Sequence, residues 1–326
     1  MIPTVSVVIP TFRRVGLLSR CLDALLVQTL PPERYEIVVV DDGRTADTRE
    51  AVEACASRAA ARGTTVIYLQ STPGSRGPAA ARNRGWLFAR GRIIAFTDDD
   101  TIPAANWLAE GLRALDSGAD AACGRVRVPV PPKPTDYERN VSHLETALFV
   151  TANCFIRRRT LLDIGGFDER FKRAWREDSD IHFKLLERGA TVARAPAAVV
   201  IHPVRPARWG VSVALHSNLV FDALLYKKHP GLYRRFIRAM PPLNHYATCA
   251  AALAGAAGFA GGSPLLGTSG VVAWLALTVA FCLRRLRGTT RTARHVLEMI
   301  ATSIVIPPVA IYYRVAGAVR YRVLFA

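Results

Sequence analysis

The chain has 326 residues, with 43 Lys+Arg against 26 Asp+Glu and a formal charge of +17. That length leaves room for one large domain plus an appendage, and the charge points to a polyanionic partner such as anionic lipid or a phosphorylated substrate. With no nucleic-acid motif and no basic stripe interleaved with aromatics, nucleic acid is not an expected partner. The six cysteines (21, 55, 123, 154, 249 and 282) are scattered without CxxC spacing, which argues against a disulfide framework or zinc site and for reduced thiols in a cytosolic compartment.

Residues 1–125 alternate strand-like and helix-like segments. Val5–Ile9 is a β-branched run that reads as a strand, without the basic and apolar regions of a secretory leader before it. Arg14–Gln28 places Leu17, Leu18, Cys21, Leu22 and Leu25 on one helical face. Glu36–Val40 is the second strand, Thr48–Arg62 an Ala-rich helix, Thr65–Leu69 the third strand, Ala79–Arg90 a helix and Ile93–Phe96 the fourth strand. This βαβαβαβ order predicts an α/β fold, a parallel doubly wound sheet with right-handed crossovers. The four prolines between Val126 and Pro134 predict a loop after a strand. Thr151–Ile156 follows as a strand, then a helical turn ending at Gly165-Gly166, a helix from about Glu177 to Arg188 and a strand over Ala193–His202. Trp209–Tyr226 is helical and amphipathic, and Lys227, Lys228, Arg234, Arg235 and Arg238 come after it.

From Ala239 to Leu283 there is no Asp, Glu, Lys or Arg. Leu265–Leu283 is about long enough to cross a bilayer, and the Ala/Gly-rich 246–262 is its candidate partner across Gly262-Ser263-Pro264. Basic residues flank both ends of this hairpin, including Arg284, Arg285, Arg287, Arg291 and Arg294, and the positive-inside rule places both flanks, with the N-terminal part, in the cytoplasm. The apolar stretch 296–313 is interrupted by Pro307-Pro308, which favours an interfacial or re-entrant segment. The bland alternative for Leu265–Leu283 is a buried core helix.

Two aspartate clusters, Asp41-Asp42 and Asp98-Asp99-Asp100, directly follow the second and fourth strand-like runs. Ligands of open α/β sheets bind beyond the carboxyl ends of the strands, so five carboxylates gather at one mouth. That charge is unfavourable unless a cation or hydrogen-bond donors compensate it.

Val5-Ser6-Val7-Val8-Ile9-Pro10-Thr11-Phe12, Val27-Gln28-Thr29 and Val40-Asp41-Asp42-Gly43 resemble the opening of a family 2 glycosyltransferase with the GT-A fold. The family's order continues through Gly77-Pro78-Ala79-Ala80-Ala81-Arg82-Asn83-Arg84-Gly85, Thr97-Asp98-Asp99-Asp100, Gly165-Gly166-Phe167-Asp168-Glu169 and Glu177-Asp178-Ser179-Asp180, so the resemblance covers roughly residues 3–205. It implies a mainly parallel, Rossmann-like sheet flanked by helices and inverting sugar transfer from a nucleotide sugar, with a UDP-sugar favoured and Mg²⁺ or Mn²⁺ as cofactor. A departing nucleoside diphosphate accumulates charge that a divalent cation neutralises, and such cations take carboxylate oxygens. By resemblance, Asp100 is the metal ligand, with Asp98 as a second, and Asp98 and Asp99 lie near ribose and diphosphate. Asp41 and Asp42, helped by Thr11, hold the nucleoside, and Arg82 contacts the diphosphate or holds Asp42. His202 stands where some relatives supply a third metal ligand. The base that takes the acceptor proton is expected in the Glu-Asp pair, as Asp178. Turn or capping roles remain open for one of Asp41 and Asp42 and for the Asp98–Asp100 cluster, a helix-dipole role for the acidic turn at Glu177, and a sugar contact or a helix cap for Asp168. Arg44 replaces the Ser common in the family. Arg205-Pro206-Ala207-Arg208-Trp209 only faintly resembles the QxxRW motif of processive synthases, which favours single-sugar transfer.

The expected organisation is a catalytic domain over 1–205, with a nucleotide-binding half (1–125) and an acceptor-binding half (126–205), an interfacial connector over 206–240 and a membrane-associated region over 241–326. The expected activity is sugar transfer to a hydroxyl of a membrane-proximal, lipid-linked or other acceptor in cell-envelope glycan synthesis. It would take place at the cytoplasmic membrane, with the acceptor chosen by 126–150 and the region after His202. The rivals are a sugar nucleotidyltransferase, which would carry a Gly-rich loop where Pro10-Thr11-Phe12-Arg13-Arg14 stands, and a non-catalytic membrane-tethered nucleotide-sugar-binding protein.

Overall fold

The structure is a computed structural model that describes residues 2–325. In chain order its first elements are β1 (Val5–Thr11), α1 (Val15–Leu25), β2 (Tyr35–Asp41), α2 (Ala46–Ala60), β3 (Thr65–Gln70), α3 (Pro78–Phe88), β4 (Ile93–Thr97), β5 (Ile102–Pro103), α4 (Trp107–Leu115) and β6 (Ala121–Arg127). Then come α5 (Asp136–Ser142), β7 (Asn153–Arg157), α6 (Arg158–Ile164), α7 (Glu177–Glu187) and β8 (Val192–Ile201). The helices α8 (Val211–Leu215), α9 (Leu219–Lys228), α10 (Pro230–Phe236), α11 (Leu243–Ala260), α12 (Pro264–Leu286) and α13 (Ala293–Tyr321) complete the chain. Residues cluster into two compact units, one of 1–129 with 142–204, the other of 130–141 with 205–326.

The first unit is built on one eight-stranded sheet of order β3-β2-β1-β4-β7-β6-β8-β5. Strands β3, β2, β1 and β4 run parallel, as their alternation with helices predicts. Val5, Val7, Val8 and Ile9 on β1 and Ile37–Val40 on β2 are wholly buried, the pattern of strands covered on both faces. Each such side chain contributes about 1.5–3 kcal/mol relative to exposure. Beyond β4 the sheet changes direction: β7 is antiparallel to both β4 and β6, and β5 is antiparallel to β8. Hydrophobic runs report burial but not strand direction, so this half was not legible from periodicity.

Two glycines set α3 against the sheet. A Cβ on Gly85 would lie 2.4 Å from Val8 Cγ1, so only glycine lets the helix approach β1 this closely. Gly77, ahead of Pro78 at the first helical turn, has φ +95, and a Cβ there would sit 2.5 Å from the Lys172 carbonyl oxygen. The result is a buried helix whose Arg82 points into the sheet mouth.

In the second unit α11 and α12 form a hairpin that touches backbone to backbone. A Cβ on Gly258 would meet the Gly267 nitrogen at 2.3 Å, and one on Gly270 the Gly255 nitrogen at 2.3 Å. Among the described residues two helices are long and apolar enough to cross a membrane, α12 and α13. α11, with Asn244 and His245 in its first turn and mostly Ala and Gly beyond, is not one of them. The stretch 296–313 is not broken at its proline pair, because α13 continues through Pro307 and Pro308. One side of α13 lies along α8 and α9: Glu298 accepts from the Gly210 amide at 2.7 Å, Gly317 abuts Val220, and Lys227 Nζ reaches the Tyr321 carbonyl at 2.7 Å. At the α12–α13 connection, buried Arg285 donates to Asp136 Oδ2 at 2.8 Å, to Thr302 Oγ1 at 2.6 Å and to Ser212 Oγ at 3.0 Å. The 130–141 segment is thereby tied to this unit.

Candidate active site

The carboxyl ends of β1, β2 and β4 bring the two aspartate clusters to one mouth of the first unit. The turn after β4 is held from below: Thr101 Oγ1 donates to the Asp98 carbonyl at 2.9 Å, and Thr97 Oγ1 to the Ala152 carbonyl at 2.9 Å. Within this turn Asp99 faces inward. It accepts from Thr11 Oγ1 at 2.8 Å and pairs with Arg14 at 3.2 Å. Burial raises its carboxyl above the usual range, against the pull of Arg14 and Thr11.

Asp98 and Asp100 turn toward His202, which follows β8. His202 Nε2 is 3.5 Å from Asp100 Oδ1, and one donor atom from each of Asp98, Asp100 and His202 lies within 4.8 Å of the others. Two carboxylates and an imidazole are ligand types that a divalent cation takes. The His202 backbone amide donates to the Arg127 carbonyl at 2.8 Å, which fixes the residue's place beside the turn, while its Nδ1 is buried without a partner. The three residues named from sequence as metal ligands are thus brought together.

After β2 the aspartates also divide. Asp41 is wholly buried, and its oxygens accept from the Gly43 amide at 2.8 Å, the Thr45 amide at 2.9 Å and Tyr68 Oη at 3.1 Å. It organises the turn. Asp42 accepts from the Gly77 amide at 2.9 Å through one oxygen, and its other oxygen has no partner.

Arg82, expected to reach a diphosphate or Asp42, bridges the β4 turn and α7 and makes no bond to Asp42 among the described residues. It donates to Asp98 Oδ1 at 2.6 Å and to Glu177 Oε1 at 3.1 Å, with 2% of its surface exposed. Glu177 is buried, and desolvation pushes its carboxyl up to about 7 despite Arg82, with Asp178 adding to the rise. Asp178, next along the helix, is half-buried and accepts from the Ser179 amide at 2.6 Å. Burial raises its carboxyl too, while the Ser179 amide, Arg176 and Arg82 pull it down. Both lie in the first turn of α7, where the helix dipole favours the charged form.

Sequence reasoning assigned no role to Arg14 or Asn83. Asn83 brackets Phe167, accepting from its amide at 2.9 Å and donating to its carbonyl at 2.9 Å, and so ties α3 to the Gly165-Gly166 turn. The only signal for Asn83 lay in its place inside the Gly77–Gly85 motif, and Arg14 lay just beyond the Val5–Phe12 motif. Asp168 grips Arg170, with Arg170 Nη2 at 2.7 Å from Oδ2. Arg13, Arg44 and Arg176, in loops after β1, after β2 and before α7, have φ of 54, 51 and 73, a left-handed conformation costly for residues with a Cβ. Arg44 donates to the Ser71 carbonyl at 2.8 Å.

Comparison with known proteins bears on this geometry. Residues 6–174 match the family model "Glycosyl transferase family 2", and residues 93–283 match "Glycosyl transferase family group 2". Glycosyltransferase AglE of Haloferax volcanii is 29% identical over 217 residues, 63% of this chain and 68% of its own length. Validoxylamine A glucosyltransferase of Streptomyces hygroscopicus subsp. limoneus is 28% identical over 271 residues, 71% of this chain but 58% of its own length. Among solved structures, the mannosyltransferase PcManGT of Pyrobaculum calidifontis, in complex with GDP-Man and Mn²⁺, superposes with a TM-score of 0.61 at 24% identity, over 99% of this chain and 88% of that one. S. aureus TarS 1-349 with UDP-GlcNAc gives a TM-score of 0.52 at 19% identity, over 96% and 92%. These superpositions establish a shared fold, an α/β sheet of GT-A type.

Proposed function

The chain belongs to glycosyl transferase family 2 and is a glycosyltransferase, and from that premise we propose that it inverts the anomeric centre of a nucleotide-diphosphate sugar by transfer to an acceptor hydroxyl. The observation that carries this reading is the convergence of Asp98, Asp100 and His202 beside an arginine that is itself paired to the Glu177-Asp178 turn. Asp98, Asp100 and His202 would hold Mg²⁺ or Mn²⁺, which supplies Lewis-acid neutralisation of the diphosphate when bound. The free oxygen of Asp42 accepts a hydrogen bond from the base or ribose, and Asp41 keeps its turn in shape. A UDP-sugar is the favoured donor.

Asp178 is the proposed base. It takes the acceptor hydroxyl proton as that oxygen attacks the anomeric carbon from the face opposite the departing diphosphate, and such a group contributes about 10²–10⁴-fold in rate. Glu177 is engaged with Arg82, whereas Asp178 is the half-exposed member of the pair. Arg82 spaces the base from the Asp98 turn. Asp99 and Thr11, paired to each other, act as scaffold.

The acceptor is proposed to be membrane-proximal and lipid-linked, in cell-envelope glycan synthesis. Supporting this are the apolar α12, with its close partner α11, and the basic residues flanking the hairpin, which favour a cytoplasmic catalytic unit. α13, packed along α8 and α9, suits the membrane surface better than a crossing. The test is transfer or donor hydrolysis assayed with membranes: metal-dependent release of nucleoside diphosphate is expected, and turnover that EDTA leaves untouched would remove the metal from the account.

A further inference from the structure

We propose that the base of the α11–α12 hairpin is a docking surface for the net-anionic lipid headgroups of the leaflet it enters. The proposal rests on the reading of that hairpin as inserted in a membrane, and it is independent of the sugar-transfer chemistry.

The charge of the chain is unevenly shared. The second unit, 130–141 with 205–326, holds 17 Lys+Arg against 4 Asp+Glu, so it carries +13 of the chain's +17. All four carboxylates are engaged inside that unit. Asp136 pairs with Arg139 at 2.9 Å and with Arg285 at 2.8 Å. Glu138 accepts from the Thr135 amide at 2.7 Å, Asp222 from Tyr233 Oη at 3.0 Å and Glu298 from the Gly210 amide at 2.7 Å.

The arginines left over gather at one end of the hairpin. Arg234, Arg235 and Arg238 precede α11, while Arg284 and Arg287 close α12 and Arg291 and Arg294 lead into α13. All seven are exposed, and among the described residues none pairs with a carboxylate. The hairpin itself brings the two flanks together. The ring of His245, in the first turn of α11, meets that of Phe281 near the end of α12 with centroids 5.2 Å apart, and the Arg284 guanidinium lies 5.9 Å from the same Phe281 ring. Arg238 from one flank and Arg284 from the other both act electrostatically on His245.

The apolar surface stops at this level. Val272, Leu275, Val279 and Leu283 are exposed at helical spacing along α12, and Arg284 is the next residue. On the other arm, exposed Met240 and Leu243 follow Arg238. An apolar shaft that ends in unpaired guanidinium groups matches the step from acyl chains to headgroups. Guanidinium forks fit phosphate oxygens in two-point geometry. Like charges held together repel unless anions lie among them, and a basic cluster beside a membrane helix draws anionic lipid in preference to zwitterionic lipid.

The experiment reconstitutes the full chain in phosphatidylcholine vesicles. Electron paramagnetic resonance then reads how much trace spin-labelled phosphatidylglycerol, and how much spin-labelled phosphatidylcholine, is immobilised at the protein surface. Expected is an association at least about threefold in favour of phosphatidylglycerol at low salt, falling toward equality in about 1 M NaCl as exposed charges are screened. Arg234→Gln/Arg235→Gln/Arg238→Gln and Arg284→Gln/Arg287→Gln/Arg291→Gln should each lower that preference by about half, and the two sets combined should remove it. Arg20→Gln/Arg92→Gln/Arg113→Gln takes the same charge from exposed positions of the first unit and should leave the preference unchanged. The salt series tests the proposal on the unaltered chain. Equal association of the two lipids with an inserted chain, or a loss from the first-unit variant equal to that of either hairpin set, would overturn the docking surface alone. Extraction of the parent chain from the vesicles by alkaline carbonate would overturn the membrane reading and this proposal with it.

Discussion

After β2, Asp41 points inward and gives both oxygens to the Gly43 and Thr45 amides and Tyr68, while Asp42 keeps one oxygen without a partner. After β4 the inward residue is the middle one: Asp99 is neutralised by Thr11 and Arg14, and its neighbours Asp98 and Asp100 gather with His202. Asp98–Asp100 lie in the turn after β4, where Asp99 and Asp100 are both buried, so their partners and not their exposure set them apart. The two turns differ in how the inward carboxylate is satisfied. Asp41 uses mainly backbone amides and shapes its own loop, whereas Asp99 uses Thr11 at the end of β1 and Arg14 just beyond it, and so ties the β4 turn to the end of β1. Charge gathered at a sheet mouth is thus partly scaffold and partly site.

Substitutions should separate the two kinds. The largest effect is expected at Asp100, which gathers with Asp98 and His202, and at the proposed base. Asp100→Asn and Asp178→Asn should each lower kcat by about 10²–10⁴-fold, with thermal midpoints close to that of the parent, as read by steady-state kinetics and calorimetry. Removing divalent metal with EDTA should act like Asp100→Asn and be reversed by Mn²⁺.

The pH profile sharpens the role of the base. Burial raises the Asp178 carboxyl above the ordinary aspartate value of 3.8, so the unprotonated form is lost at a higher pH than usual. The rate should fall tenfold per pH unit on the acid side, with the bend above the ordinary aspartate range, and Asp178→Asn should abolish that bend.

The inward residue Asp41 should behave oppositely. Asp41→Ala removes the acceptor of three hydrogen bonds and should cost about 2–4 kcal/mol of stability, measured by denaturant unfolding of the detergent-solubilised chain. Asp42→Ala loses only the bond from the Gly77 amide, so it should cost about 1 kcal/mol of stability and raise the KM for the nucleotide sugar about tenfold, the worth of roughly one hydrogen bond to a charged group. Smallest is Thr11→Val, which deletes one donor to Asp99 and should cost about 1 kcal/mol. If Asp41→Ala instead left stability intact and removed donor binding, the roles of Asp41 and Asp42 would be reversed.

Much of this site was legible because its motifs sit at strand ends, and strand ends are marked by apolar runs such as Ile37–Val40 and Ile93–Phe96. His202 was legible for the same reason, at the end of β8. Which neighbouring aspartate each turn ties into its own loop was not, since Asp41 and Asp42 are identical as letters. The bridge from Arg82 to Asp98 and Glu177 depends on how closely α3 sits on β1, a distance set by Gly85 and not by the motif around Arg82. The antiparallel β7 was hidden because periodicity carries no direction. The continuity of α13 through Pro307-Pro308 was hidden because a proline pair reads as a break, although packing along α8 and α9 holds the helix together.

The central claim is that Asp178 is the base while Asp98, Asp100 and His202 hold the metal. Its most direct test is one titration of Asp178→Asn with Mn²⁺ and the nucleotide-sugar donor, paired with the transfer rate of the same sample. The account predicts donor and metal affinities within threefold of the parent and a rate at least 100-fold lower, within the range for loss of a general base. Transfer at the parental rate, or loss of donor binding in step with the rate, would contradict it.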